Sequence, residues 1–335
     1  MDILQHISDL LLTKKSEIIS FSLTAPYRYK IYKIAKRNSD KKRTIAHPSK
    51  ELKFIQREIT EYLTDKLPVH ECAFAYKKGS SIKTNAQVHL HTKYLLKMDF
   101  ENFFPSITPR LFFSKLRLAN IDLTADDKVL LENILFFKSK RNSNLRLSIG
   151  APSSPLISNF VMYFWDIEVQ EICSKIGVNY TRYADDLTFS TNNKDVLFDI
   201  PDMLENVLPK YSLGRIRINH EKTVFSSKGH NRHVTGITLT NDNKLSIGRE
   251  RKRKISAMIH HFINGKLSTD ECNKLVGLLA FAKNIEPSFY KSMVIKYGSD
   301  NIYKLQKQKT NNFCCTFIDT SVLLIMPRTT WNKFS

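Results

Sequence analysis

The spacing of apolar and polar residues divides the chain into helix-like and strand-like stretches. Apolar residues that recur every three or four positions predict helices, and short apolar runs bounded by turn residues predict strands. The predicted helices span residues 51–63, 109–118, 125–137, 155–176, 249–263, 268–283 and 287–297, after an amphipathic stretch at the N-terminus. The predicted strands span residues 94–100, 180–183, 186–190, 215–218, 222–225, 234–239 and 244–247. Strands mixed with helices in the centre, followed by helices alone, predict an α+β fold.

The length of the chain predicts more than one compact unit. At 335 residues, the chain exceeds the size of about 250–300 residues at which a single hydrophobic core stops growing. Basic residues are concentrated in two regions, residues 28–57 and residues 244–309. We therefore expect a basic turn on a folded arm near the N-terminus, an α+β centre and a basic helical module after it.

The charge of the chain restricts the class of partner. The 52 Lys and Arg residues exceed the 32 Asp and Glu residues, for a formal net charge of +20. This balance favours a polyanionic partner over a small metabolite. The longest apolar runs, Phe160–Trp165 and Val322–Met326, are far shorter than the ~20 residues that span a bilayer. The N-terminus lacks the basic segment of a signal peptide, so we expect a nucleic acid partner, no membrane and a cytoplasmic location.

The sharpest local signal is a pair of adjacent acids, Asp185 and Asp186, between two strand-like runs. The flanking runs place the segment Tyr183–Asp186 at the tip of a hairpin. Adjacent strand residues point to opposite faces of a sheet, so two neighbouring acids are poor strand residues. A solvated turn is the alternative, because Asp is common in turns.

A third acid, Asp99, lies at the end of the predicted strand 94–100. Carboxylates from different strands can converge on one point, and Mg²⁺ prefers oxygen ligands. Two such ions about 3.5–4 Å apart can bridge a phosphate and place positive charge before the reaction starts. The acids therefore predict phosphoryl transfer.

Three blocks, in order along the chain, carry a resemblance to a known family. Asp99, the segment Ala151–Pro155 with Ile157–Asn159, and Tyr183–Asp186 resemble the three palm motifs of reverse transcriptases. The resemblance implies that two Mg²⁺ ions bind and that deoxynucleoside triphosphates are the substrates. The metal ligands that it implies are Asp99, Asp185, Asp186 and the main-chain oxygen of Phe100.

The same resemblance implies the architecture of a right-hand polymerase. The fingers would comprise residues 1–95, with an insertion near residues 110–150. A ferredoxin-like palm with the catalytic hairpin would comprise residues 96–244. A helical, basic thumb and RNA-recognition region would comprise residues 245–335.

Other positions match the family motifs one at a time. Phe104 matches a steric gate that excludes the 2′-OH of a ribonucleotide, although a core aromatic next to Phe103 would give the same pattern. Arg43, with Lys36 as a companion, matches the finger loop that grips the triphosphate, where a guanidinium fork suits bidentate contacts. Either basic residue could instead belong to a general RNA-binding face.

Two further matches concern the phosphates and the fine geometry of the nucleotide site. Lys222 matches the lysine of the fourth motif, which can protonate the leaving pyrophosphate; a solvated lysine at a strand end is the alternative. Gly150 is the glycine of the second motif and is expected beside the nucleotide. Many family members have Gln before this glycine, but Ile149 stands here. An amide proposed to touch the nucleotide is therefore missing, which affects the fine geometry and not the polymerase assignment.

Two blocks favour the bacterial retron branch of the family. Asn85–His89 resembles the retron N-A-x-x-H element, and Val234–Gly236 resembles the V-T-G triplet that opens a retron-specific region implicated in RNA recognition. The residues that this resemblance places at the RNA are Asn85, His89, Val234, Thr235 and Gly236. The alternatives are an orienting histidine and a strand with a glycine bulge.

A run of basic residues begins the C-terminal helical module. Neutralising phosphates releases counterions, so such a run favours salt-sensitive binding of nucleic acid. A solvated helix face is the alternative. The residues expected to bind RNA here are Arg249, Arg251, Lys252, Arg253 and Lys254.

The retron resemblance implies a specific activity. Such an enzyme binds a structured noncoding RNA (msr-msd), primes from the 2′-OH of an internal guanosine and makes branched single-stranded DNA (msDNA). It implies anti-phage defence together with a separate effector protein. The alternatives are another bacterial reverse transcriptase, of the group II intron, diversity-generating or abortive-infection type, or a catalytically idle RNA-binding scaffold. The intact acids count against a scaffold, because carboxylates repel an anionic ligand.

Overall fold

The computed structural model describes residues 1–35 and 42–307. Lys36, which was expected at the triphosphate, lies outside these residues. The chain divides into two compact units, the first comprising Met1–His230 and the second beginning at Asn231. In the part of the chain that is described, no helix has the length and apolar character needed to cross a membrane.

The first unit begins with helices and an exposed hairpin. Its elements are α1 (Ile3–Leu11), α2 (Lys15–Thr24), β1 (Tyr29–Ala35), β2 (Lys42–Pro48), α3 (Lys50–Thr64) and α4 (Ile82–Val88). The side chains of Asp2, Ser49 and Ser81 accept hydrogen bonds from backbone N–H groups in the first turns of α1, α3 and α4. These caps satisfy donors that have no partner within a helix, so they fix where each helix begins.

An antiparallel sheet lies at the centre of the first unit. Its strands are β3 (Tyr94–Glu101), β4 (Asn179–Tyr183), β5 (Asp186–Thr191), β6 (Arg217–Ile218) and β7 (Val224–Ser227). The order is β4-β5-β3-β6, and β7 also pairs with β3. The central strand β3 buries Leu95, Leu96 and Met98. A strand that is covered on both faces reads as a nearly continuous apolar run, as this one does.

Helices cover the sheet and build the core of the first unit. They are α5 (Phe103–Ser106), α6 (Pro109–Leu118), α7 (Ala125–Leu135), α8 (Ser154–Lys175) and α9 (Ile200–Ser212). Trp165 of α8 is fully buried and packs edge-on against Phe100 of β3 and Tyr180 of β4, with ring centroids 5.5 and 6.0 Å apart. Aromatic pairs of this geometry stabilise a core beyond the area they bury, so α8 is held firmly against the strands that carry the acids.

The second unit combines short strands with helices. Its elements are β8 (Arg232–Val234), β9 (Ile237–Leu239), β10 (Leu245–Ser246), α10 (Arg249–Ile263), α11 (Thr269–Ile285), α12 (Pro287–Tyr297) and α13 (Ser299–Lys307). The Glu286 carboxylate accepts hydrogen bonds from the hydroxyl of Ser246 and the backbone N–H of Ile247, at 2.8 and 3.1 Å. The short strands are thereby bonded to the helices that follow them. This explains why the division falls at residue 231, upstream of residue 245.

Candidate active site

The segment Tyr183–Asp186 closes the hairpin of β4 and β5, as predicted from its position between two strand-like runs. Tyr183 pairs with Asp186 across the strands, which leaves Ala184 and Asp185 as the turn. Ala184 has a φ of 58°, in the left-handed region that non-glycine residues rarely adopt. The turn therefore needs support from its surroundings.

That support comes from Arg182, a fully buried residue of β4. Its guanidinium forms an ion pair with Asp166 of α8 at 2.6 Å, and both side chains are inaccessible to solvent. The same guanidinium donates to the carbonyl oxygen of Ala184 and to Oδ1 of Asn159, both at 3.1 Å. Burying an ion pair costs hydration, which good geometry and additional hydrogen bonds offset. This network was not predicted from the sequence, in which its only signal is a charged residue inside a strand.

The three predicted acids meet at the end of the central strand. Asp99 of β3 lies directly opposite Asp186 of β5. The backbone N–H of Phe100 donates to the carbonyl oxygen of Asp185 at 3.1 Å, which joins the hairpin turn to β3. The structure thus brings Asp99, Asp185 and Asp186 together from two strands.

The pKa values of the acids reflect this crowding. Removal from water and the charges of Asp185 and Asp99 raise the pKa of Asp186 to about 7. Removal from water and the charge of Asp99 also raise the pKa of Asp185, against the opposing effects of Arg43 and Lys222. Like charges in one site disfavour ionisation, so a nearby positive charge would stabilise the ionised carboxylates.

Lys222 supplies positive charge to this cluster. Its Nζ lies 2.7 Å from Oδ2 of Asp99, and the backbone N–H of Asn219 donates to the carbonyl oxygen of Asp99 at 2.7 Å. Lys222 ends a short 3₁₀ turn (His220–Lys222) instead of beginning a strand, and β7 starts at Val224. The predicted strand at 222–225 was therefore placed too early, because the turn is needed to aim the lysine at β3.

The donor chemistry of the cluster fits a divalent cation. Within residues 1–35 and 42–307, no three His, Cys, Asp or Glu side chains are arranged so that they could together hold a metal ion. At Asp99, one carboxylate oxygen is instead bonded to Lys222. Carboxylate oxygens are the ligands that hard cations prefer, so the chemistry of the donors fits although their present arrangement does not, and a cation at Asp99 would compete with the ammonium group of Lys222.

Phe103 and Phe104 follow the end of β3 and have different environments. Phe103 is buried and stacks against Phe100 with ring centroids 5.3 Å apart. Phe104 is half-buried and contacts Phe103 edge-on. Phe103 is therefore a core residue, whereas part of the Phe104 ring is exposed to solvent.

Gly150 and Arg43 connect the hairpin of β1 and β2 with the site. Gly150 has a φ of +123°, and a Cβ at this position would lie 3.1 Å from the carbonyl oxygen of Ala46. The backbone N–H of Ala46 donates to the carbonyl oxygen of Ile149 at 3.0 Å, so only glycine allows this close approach. Arg43 is exposed on β2, and its charge lowers the pKa of Asp185, which places it within electrostatic range of the acids.

Asn85 and His89 are both fully buried, so the prediction that their side chains contact RNA is wrong. The His89 ring bridges the hydroxyl groups of Ser190 on β5 and Thr181 on β4, at 2.7 and 2.8 Å. Removal from water lowers the pKa of His89 to about 3, so the ring is neutral at physiological pH. The motif thus orients the strands of the catalytic hairpin.

Val234–Gly236 forms a tight turn and not a strand with a bulge. Val234 pairs with Ile237, and the two residues between them have positive φ values, 45° for Thr235 and 80° for Gly236. Positive φ at both central residues is the hairpin geometry that matches the twist of the strands. Val234 is buried, so direct RNA contact by its side chain is also wrong, whereas Gly236 is exposed.

The basic run on α10 separates into two groups. Arg249, Arg253 and Lys254 are exposed. Arg251 donates to the carbonyl oxygen of Gly236, and Lys252 forms an ion pair with Glu286. These last two side chains are engaged within the second unit, which leaves the first three as the stronger candidates for phosphate contact.

Comparison with known proteins places the sequence among described polymerases. The family profile "Reverse transcriptase (RNA-dependent DNA polymerase)" matches residues 34–239. The chain is 47% identical over 281 residues to the retron Ec83 reverse transcriptase of Escherichia coli, with 83% of this chain and 90% of that protein covered. It is 33% identical to the retron Ec86 reverse transcriptase of the same species, over 84% and 86% of the two chains. A third similar protein is the retron Ec73 reverse transcriptase of Escherichia coli, at 35% identity over 82% and 89%.

Proposed function

Because the chain belongs to the reverse transcriptase family, in its bacterial retron branch, it is an RNA-directed DNA polymerase, and we propose that it makes msDNA. In this proposal it copies part of a cognate structured noncoding RNA, msr-msd, and primes from the 2′-OH of an internal guanosine of that RNA. The observation that carries the proposal is the meeting of Asp99, Asp185 and Asp186 at the ends of β3 and β5.

The acids define where the metal ions of the reaction would bind. Reverse transcriptases use divalent ions and deoxynucleoside triphosphates, and we assign two Mg²⁺ ions to this site. The ligands would be Asp99, Asp185, Asp186 and the main-chain oxygen of Phe100. When bound, the ions lower the pKa of the attacking hydroxyl and stabilise charge on the phosphates.

Basic side chains would bind the triphosphate and protonate the leaving pyrophosphate. Arg43 lies close enough to affect the pKa of Asp185, and it would bind phosphate oxygens through its guanidinium fork. Lys36 is its proposed companion. Lys222, now paired with Asp99, would donate a proton from Nζ to the leaving pyrophosphate.

The nucleotide site would select deoxynucleotides by shape. The half-buried ring of Phe104 would lie beneath the sugar and exclude a 2′-OH. Gly150, which approaches the backbone of β2 closely, would leave room for the nucleotide at the second motif. Ile149 offers no side-chain amide there, so the contact must come from backbone or other side chains.

The RNA would contact exposed basic residues of the second unit. Arg249, Arg253 and Lys254 begin α10 with free access to solvent, and the turn at Thr235 and Gly236 presents backbone groups. In this assignment the thumb and RNA-recognition region comprises residues 245–335, after fingers at 1–95 and a palm at 96–244. We further assign the enzyme to anti-phage defence in the cytoplasm, together with a separate effector protein.

The decisive experiment expresses the chain with its native flanking DNA and extracts nucleic acid. Wild type is compared with the double variant Asp185→Asn, Asp186→Asn, and the extracts are debranched and sequenced. We expect a discrete DNA joined 2′,5′ to RNA from wild type alone. The double variant keeps the size of both side chains, so its protein level and melting temperature serve as the folding control.

Each other outcome would assign a different function. Linear complementary DNA from wild type would keep the polymerase and reject the branched product, in favour of priming as in an intron, diversity-generating or abortive-infection enzyme. RNA binding without DNA from either protein would indicate an idle scaffold.

A further inference from the structure

The loop that follows Cys72 runs parallel to the catalytic hairpin. The backbone N–H of Arg182 donates to the carbonyl oxygen of Cys72, and the N–H of Phe74 donates to the carbonyl oxygen of Arg182, both at 2.8 Å. Ala73 and Arg182 form a parallel bridge. The two segments run in the same direction, and Tyr76 follows the bridged residue Ala73 by three positions, as Asp185 follows Arg182.

Two buried side chains hold the loop and the hairpin at a fixed separation. Nδ2 of Asn159 donates to the carbonyl oxygen of Ala75 at 2.8 Å. Arg182 binds Oδ1 of the same Asn159 and the carbonyl oxygen of Ala184. The residue before Tyr76 and the residue before Asp185 are therefore joined through one amide and one guanidinium. Such a buried and satisfied polar network specifies a single arrangement.

Tyr76 combines a left-handed backbone conformation with an exposed side chain. Its φ is 61°, which is costly for a bulky side chain and typical of functional sites. The residue is 52% exposed, so its ring is not needed to fill the interior. Ala184, on the other side of the network, is also left-handed, with a φ of 58°.

The surroundings of Tyr76 are those of the nucleotide site. Although the residue as a whole is half exposed, partial removal from water and the charge of Asp185 raise the pKa of Tyr76 to about 12, with Tyr183, Arg43 and Asp186 also acting on it. The hydroxyl keeps its proton at neutral pH, as an ordinary tyrosine does, and can donate a hydrogen bond. These interactions put Tyr76 near both the acids and Arg43, the groups that the proposed function assigns to the metal ions and the triphosphate.

We propose that Tyr76 is a further nucleotide-binding residue, which donates a hydrogen bond from its hydroxyl to a phosphate oxygen of the incoming deoxynucleoside triphosphate. The Asn159 and Arg182 bridge positions this residue against the catalytic hairpin. The inference rests on the proposed function of the acids and Arg43, because those residues define where the triphosphate lies.

Tyr76→Phe tests the hydroxyl, because it keeps the ring. Equilibrium dialysis measures the Kd of labelled dTTP with full-length protein, Mg²⁺ and poly(rA) annealed to oligo(dT) that ends in a dideoxynucleotide. Steady-state incorporation on the extendable duplex gives KM and kcat. We expect Kd and KM to rise about tenfold, as for loss of a hydrogen bond to a charged group, with kcat changed less than about twofold.

Tyr27→Phe is the matched control, because Tyr27 is also 52% exposed and has no place in the site. Its Kd, KM and kcat should equal those of wild type. Tyr76→Ala should weaken dTTP binding at least as much as Tyr76→Phe does. A merely structural role would lower the melting temperature and kcat and leave Kd unchanged.

Failure of this proposal and failure of the polymerase give different results. A Kd for Tyr76→Phe equal to that of wild type, with normal incorporation, would overturn the role of Tyr76 and keep the polymerase. Wild type that binds dTTP but incorporates none would overturn the polymerase, and weaker binding by Tyr76→Phe would still support the contact. Absence of dTTP binding by wild type would overturn both.

Discussion

At the scale of residues, small differences in burial assign different roles to neighbours. Phe103 is 2% exposed and stacks on Phe100, whereas Phe104 is half-buried. The motif predicted Phe104 as the steric gate, with a core aromatic as the alternative, and the ring packs partly against the core while part of it stays exposed. Phe104 is therefore the ring to test for sugar selection.

Phe104→Val should relax discrimination between deoxynucleotides and ribonucleotides. Removing a ring beneath the sugar makes room for a 2′-OH, so the ratio of kcat/KM for dGTP to that for GTP should fall at least about tenfold. Primer extension on an RNA template measures both values. Phe103→Leu is the control, since it should lower the melting temperature through a core cavity and keep the ratio. An unchanged ratio in Phe104→Val would remove the gate assignment.

Motifs predicted the acids but not what holds them. Asp185 and Asp186 were found as adjacent acids between two strand-like runs and Asp99 as an acid at a strand end, and the resemblance to a family then joined the three. Arg182 was missed, because a period-two pattern identifies strand faces by apolar residues and says nothing about a buried cation. Its partner Asp166 is 16 positions away in sequence, and such distant pairing follows only from the fold.

At the scale of elements, the ring of His89 helps to tie the catalytic hairpin to the end of α4. His89, just after α4, bonds to Thr181 on β4 and Ser190 on β5. A neutral imidazole has one donor and one acceptor nitrogen, which suits two hydroxyl groups. Protonation would turn both nitrogens into donors inside the core, so we expect acid to weaken this joint.

His89→Gln should reduce the acid sensitivity of the fold. The pKa of His89 is about 3 in the folded protein and about 6.5 in the unfolded chain. Between these values only the unfolded state binds the proton, so the free energy of unfolding falls as pH falls below about 6.5, by up to about 1.4 kcal/mol per pH unit. Gln keeps one donor and one acceptor without titrating, so this part of the slope should vanish.

Urea unfolding at several pH values between about 6.5 and 4.5 measures that slope. His91→Gln is the matched control, because His91 is exposed two positions further along the chain. It should keep the slope of wild type. Equal slopes for wild type and His89→Gln would show that the buried ring does not determine the acid response.

Elements with a buried face were predicted well from the sequence. The helices at 109–118 and 249–263 have the predicted bounds, and each buries apolar residues on one face. The helix at 287–297 also has the predicted bounds although it buries only Met293, and Pro287 at its first position marks its start. β1 was predicted only as part of a folded arm, since its residues from Lys30 to Ala35 are all exposed. A strand without a buried face leaves no alternation of apolar and polar residues to detect.

At the scale of the whole molecule, the net charge and the positions of exposed basic residues affect RNA binding in different ways. The charge of +20 attracts any polyanion, so attraction alone does not identify a binding surface. The second unit nevertheless presents Arg249, Arg253 and Lys254 at the start of α10, all exposed, while their neighbours Arg251 and Lys252 bind within the unit. A surface that contacts phosphates directly should contribute more to the salt dependence of RNA binding than an equal charge placed elsewhere.

The triple variant Arg249→Ala, Arg253→Ala, Lys254→Ala should weaken RNA binding and its salt dependence. Each phosphate contact adds about 0.7 to 0.9 to the slope of log K against log salt, so three lost contacts should reduce the slope by about 2. Binding of the cognate RNA in a series of KCl concentrations measures this. Lys14→Ala, Lys175→Ala, Lys194→Ala is the control, since it removes equal charge from exposed positions of the first unit. Equal slopes for the two triple variants would mean that α10 contributes only its share of the general charge and contacts no phosphate.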